Sequence, residues 1–155
     1  MLFRSNELER IGDASLVIAR LTFEPGVHHI ATETGLERIT TNTYKMVKAS
    51  LDAFINNDAT LAKHVLSTDD RVDNLEKELS ASIVNIMEHS TDLIKSGTKL
   101  ILGLHNIERI ADRATNIAEN VIFLEEAKVV RHRQITGEDM GDLFNPTPED
   151  GHDGL

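Results

Sequence analysis

Cysteine is absent from the 155 residues, as is tryptophan, and the chain has only one tyrosine and three prolines. Without cysteine there is no disulfide framework, no thiolate zinc site and no cysteine nucleophile. With aromatic residues at 4% and hydrophobic residues at 40%, the composition favours aliphatic helical packing over a β-sandwich. Positive charge is also scarce: 16 Lys and Arg stand against 26 Asp and Glu, a formal net charge of −10. Nucleic-acid binding needs a basic stripe, so that function class is disfavoured. Docking on anionic lipid is disfavoured too, whereas a cation or a basic protein partner suits the charge. No apolar run approaches the ~18 residues of a membrane span, so direct membrane insertion is not expected. MLFRSNELER is too polar to serve as the apolar core of a signal peptide.

What is present is helical periodicity. Leu100, Leu104, Ile107, Ala111, Ala114, Ala118 and Val121 recur at spacings of four and three, a seam facing partner helices. Ile110, Ile117 and Leu124 are expected to widen it to the breadth of a bundle core. Beside the seam, Glu108 and Asp112 stand one turn apart and repel by about 0.2–0.5 kcal/mol unless a cation lies between them. Arg109 and Arg113 follow these acids but project about 100° away, so they compensate only in part.

The same pattern occurs twice. Leu8–Ala19 (LERIGDASLVIA) aligns without gaps on Ile107–Ala118 (IERIADRATNIA), placing Glu9 on Glu108 and Asp13 on Asp112. A repeat about a hundred residues long suggests two similar bundles in tandem, each closed by this helix. The first copy starts almost at residue 1, so the chain reads as the C-terminal part of a longer protein.

Between the copies, Glu24-Pro25-Gly26 breaks the first helix. A second helix is expected over 27–55, with Leu36, Ile39, Met46, Val47, Leu51, Phe54 and Ile55 as its apolar positions. Asn56-Asn57-Asp58 is a turn, with Asp58 as N-cap. A third helix is expected over 59–90, with its stripe at Leu61, Val65, Val72, Leu75, Leu79, Ile83 and Ile86. A fourth should run from about Asp92 to Lys128, loosened at Ser96-Gly97 and Gly103. The Gly-, Pro- and acid-rich 137–155 is expected to be disordered. On the third helix Asp69 and Asp73 flank their stripe as Glu108 and Asp112 flank theirs. Both pairs lie about 20 residues from the turn at Ser90, so an antiparallel hairpin brings them level.

The runs NIERIADRATNIAE, LERIGDASLVIA and DDRVDNLEKEL resemble the PhoU family over roughly Arg4 to Lys128. Ala111 stands where that family usually has Gly and Arg113 where it usually has His. Val17 replaces the Asn found at Asn116. The resemblance implies an all-α fold, an up-down antiparallel three-helix bundle similar to a spectrin repeat, with an extra N-terminal helix. It divides the chain into a last helix of a first repeat (1–24), a second bundle (25–130) and an acidic tail (131–155). It also implies a cytoplasmic, homodimeric accessory protein, without catalysis, that contacts the phosphate transporter's ATPase subunit and the phosphate-sensing histidine kinase. Such a protein represses phosphate uptake and the phosphate regulon when phosphate is plentiful.

Four carboxylates on facing helices suit hard cations such as Mg, Mn, Ca or iron. With zinc included, the expected cofactor is a divalent or trivalent metal ion (Mg, Mn, Fe or Zn) held by Asp69, Asp73, Glu108 and Asp112. Asn116 and Glu119 are weaker candidates, and Glu9 with Asp13 is the degenerate first-repeat pair. His105, three residues before Glu108, is either a further ligand or a surface histidine. His28-His29 with Glu33 is a weak metal pattern. A ferritin-like di-iron enzyme needs two Glu-x-x-His motifs on core faces; the sole such motif, Glu149 to His152, lies in the tail. The alternative reading is a metal-buffering or structural bundle without a signalling partner.

Overall fold

The computed structural model describes residues 2–136, and the expected disorder of 137–155 lies outside the described residues. Five α-helices follow one another: α1 (Leu2–Leu21), α2 (Val27–Thr34), α3 (Glu37–Asn56), α4 (Ala59–His89) and α5 (Ile94–Thr136). A single 3-10 turn, Thr91–Leu93, leads into α5. The all-α bundle is the expected class. Helices α3, α4 and α5 pack on one another, and α5 touches all four of the other helices.

The local chemistry sets the element ends. Asp58 caps α4, its carboxylate accepting from the Leu61 amide at 2.9 Å, a bond type worth about 1 kcal/mol. The helix expected over 27–55 is two helices. Gly35 takes φ 70°, and its N–H closes α2 onto the carbonyls of Ala31 and Thr32. That left-handed conformation is open to glycine at no steric cost and ends a helix. Conversely, α5 is unbroken through Gly97 and Gly103. These glycines are sites of close packing, not of loosening: a Cβ at Gly97 would lie 2.5 Å from Met87 Cγ, and one at Gly103 2.5 Å from Leu21 Cδ1. The α5 helix also continues past Lys128, the end expected for it, to Thr136.

The seam of α5 is buried throughout, Leu104, Ala114 and Ala118 completely. It meets Ile39, Met46 and Ala53 of α3 and Val65, Val72, Leu79 and Ile83 of α4 in one continuous core. Ile110 and Ile117 do not widen that core as expected. They are buried but stand outside it, because they belong to a second face that receives α1. Leu124 and Ile55 are exposed.

On that second face α1 runs antiparallel to α5. Glu7 near its start meets Arg113 and Asn116, while Leu21 at its end meets Gly103. Ile11 and Ile18 gather with Ile107 and Ile110. By the repeat, Glu7 corresponds to Asn106, Ile11 to Ile110, Ala14 to Arg113 and Ile18 to Ile117, and of these counterparts Ile110 and Arg113 lie on the face of α5 that meets α1. The turn after α1 is fastened to the start of α5. Ser96 Oγ donates to the Pro25 carbonyl at 2.7 Å, and Lys99 pairs with Glu24.

Candidate metal centre

Asp69 and Asp73 project from α4, Glu108 and Asp112 from α5, and all four are half-buried. The antiparallel hairpin brings the pairs level, as the turn distances require. Burial first, then the charges of Asp73, Asp112, Asp70 and Glu119, hold the Asp69 carboxyl above its ordinary pKa. Burial and Asp112 do the same for Glu108, with Asp73 and Glu76 adding to the rise and His105 opposing it. The repulsion therefore runs across the α4–α5 groove as well as along each helix.

Two oxygens in this strip are left unpaired. Asp69 Oδ1 and Glu108 Oε2 are buried and accept no hydrogen bond. His105 Nδ1 approaches Glu108 Oε2 at 3.4 Å, but its ring is largely in solvent. A buried carboxylate oxygen without a donor is costly, and a cation is the partner that satisfies several such oxygens at once. The donor set is all-oxygen and anionic, the chemistry a hard divalent or trivalent ion requires. Among the described residues no three His, Asp or Glu side chains already converge enough to hold one ion. The strip supplies donors in place, and carboxylate rotations would have to close a cage.

The remaining candidates divide. Glu119 is exposed but near enough to act on Asp69. Asn116 is turned to α1, its amide donating to Glu7 Oε2 at 3.3 Å. Glu9 and Asp13 are exposed, two and six residues beyond Glu7 and so away from the face that meets α5. His29 makes an exposed contact with Glu33 at 3.6 Å. Sequence reasoning missed Glu7, which is buried and pairs with Arg113 at 3.4 Å. Its signal was available: Glu7 stands four before Ile11, on the line continued by Ala14, Ile18 and Leu21.

The raised carboxyls carry a pH dependence. Asp69 and Glu108 bind a proton more tightly in the folded than in the unfolded chain, so their contribution to stability grows as pH falls from neutrality into the carboxylate range. An Asp69→Asn, Glu108→Gln variant should be more stable than its parent at neutral pH without metal, and the gap should narrow on acidification. Chemical denaturation at a series of pH values reads this; a gap independent of pH would contradict it.

Fold and strip together define a helical-bundle protein with an acidic groove between two antiparallel helices. A family model described as PhoU domain matches residues 36–121, which takes in Asp69, Asp73, Glu108, Asp112, Asn116 and Glu119. A Pseudomonas aeruginosa protein called phosphate-specific transport system accessory protein PhoU homolog is 36% identical over 132 residues, 84% of this chain and 54% of its own length. Its Clostridium acetobutylicum namesake is 34% identical over 128 residues, 80% of this chain and 57% of its own length. A Thermotoga maritima homolog 1 is 32% identical over 126 residues, 80% and 54%. The chain belongs to the PhoU domain family, and it spans about half the length of the curated relatives it matches. No helix among the described residues is long and apolar enough to cross a membrane.

Proposed function

We propose that this chain acts as an accessory protein of a phosphate-specific transport system, with Asp69, Asp73, Glu108 and Asp112 holding a divalent or trivalent cation. The names of the curated relatives support the transport role. The observation that carries the metal reading is the pair of buried oxygens, on Asp69 and Glu108, that accept no hydrogen bond. A bound cation would neutralise the strip and clamp α4 to α5. The role is regulatory and cytoplasmic. The protein, as a homodimer, contacts the transporter's ATPase subunit and the phosphate-sensing histidine kinase, and lowers uptake and phosphate-regulon signalling when phosphate is plentiful. Affinity purification of the tagged chain from phosphate-replete host cells should bring down both components. Recovery of neither, from cells that express both, would refute the signalling role and leave a metal-buffering bundle.

A further inference from the structure

On the far side of α4 from the acids, the charge pattern reverses. A cleft of about 440 Å³ lies between α3 and α4, bordered by Asn42, Lys45, Ser67, Thr68, His64 and Arg71. It continues into a second hollow of about 390 Å³ that shares Asn42, Lys45 and Arg71. The floor is apolar, with Met46, Val65 and Leu75 all buried. Among the described residues Lys45, His64 and Arg71 take part in no ion pair, although Lys48, Lys99, Lys128 and Arg38 each have a carboxylate. What marks the cleft is that Lys45 on α3 and Arg71 on α4 border it together, with no carboxylate among the described residues lining its larger part. Glu37, at the outer end of the second hollow, is the single carboxylate among the described residues that lines either part.

The available donors match an anion. Ser67 and Thr68 spend their hydroxyl hydrogens on the His64 carbonyl, and Asn42 spends one amide hydrogen on the Arg38 carbonyl. Among the described residues the Lys45 ammonium, the Arg71 guanidinium, the His64 ring and the second Asn42 amide hydrogen have no hydrogen-bond or ion-pair partner. A guanidinium fork opposite an ammonium grips a tetrahedral oxyanion from two sides, and Lys45, His64 and Arg71 are exposed and so reachable from solvent. The volume lies in the range of small-molecule sites and exceeds what one simple ion fills.

We propose that the α3–α4 cleft binds a small polyvalent oxyanion of the phosphate class, with Lys45 and Arg71 as its principal ligands. The site is separate from the carboxylate strip and needs no metal. Equilibrium dialysis of the full 155-residue chain against labelled pyrophosphate, with EDTA present, tests it. Saturable binding is expected that weakens as NaCl is raised, and a Lys45→Gln, Arg71→Gln variant with an unchanged melting curve should bind at least tenfold more weakly. Unlabelled ADP and inorganic phosphate as competitors distinguish a phosphoester from free phosphate, and either one displacing the label supports the site. No saturable binding, or equal affinity in the variant, would overturn the proposal. Displacement by malonate as effective as by pyrophosphate would overturn the phosphate class.

Discussion

Saturating Mn²⁺ or Mg²⁺ is expected to raise the melting temperature of the metal-free chain, and the double substitution Glu108→Gln, Asp112→Asn to abolish the rise. An ion at a hundred times its dissociation constant stabilises the folded state by about 2.7 kcal/mol. In a domain of this size that is a shift of roughly 5–10 °C. The stabilisation would draw on groups that oppose folding when the metal is absent, since Asp69 and Glu108 each bury an oxygen that accepts no hydrogen bond and each is repelled by acids on both helices. The same double variant should be slightly more stable than the parent without metal, because it removes like charges one turn apart. An unchanged melting temperature of the parent at saturating metal would show that the strip holds no ion.

Replacing Arg113 with alanine is expected to cost about 3 kcal/mol, the lower end of the range for stranding one member of a buried ion pair. The low end applies because the Arg113 side chain retains 21% exposure, whereas that of Glu7 retains 4%. The loss should be local. Amide exchange in α1 should accelerate while α4 and the seam of α5 keep their protection, since α1 leans on α5 and the main core lies on the other side of that helix. Adding Glu7→Gln to Arg113→Ala should restore much of the loss, because an amide carries no charge to strand and can still meet Asn116. Equal stability of Arg113→Ala and the double variant would show that removing Arg113 strands no costly charge on Glu7.

The core was legible because a 3.6-residue period leaves little choice about which residues face inward. Leu100 to Val121 and Val65 to Ile83 are buried where their spacing puts them. The level acidic pairs were legible for the same reason, since two pairs equally far from a turn meet in a hairpin. Other features depended on contacts between distant segments. Leu8 looks like a stripe residue beside Ile11, yet it is 47% exposed while Glu7 is buried, because the face that α1 buries is set by Arg113 and Asn116 of another helix. Gly35 could be read as a weak spot but not as a helix end, which depends on a φ that glycine permits without requiring. Ile110 and Ile117 fit the seam by spacing, and only the arrival of α1 shows that they serve a different contact. The α3–α4 cleft has no linear signature, as its cations come from two helices and its floor from the core.

The α1–α5 contact joins two copies of one repeated sequence, and the two faces coincide in part, at Ile11 with Ile110 and at Ala14 with Arg113. A contact of that kind, made between two identical chains, constrains both partners at once: any change appears on both sides, and a charge at one position meets its own copy's surroundings twice. Carried within one chain, the two sides can diverge. Glu7 occupies the position that Asn106 holds in the other copy, and Arg113 occupies that of Ala14, so the acid and the base that now pair each exist on one side only. The helix pairing thereby acquires a direction. Copy one fits copy two through a single ion pair that neither could make with itself, which favours joining within the chain over joining between chains by the same surface.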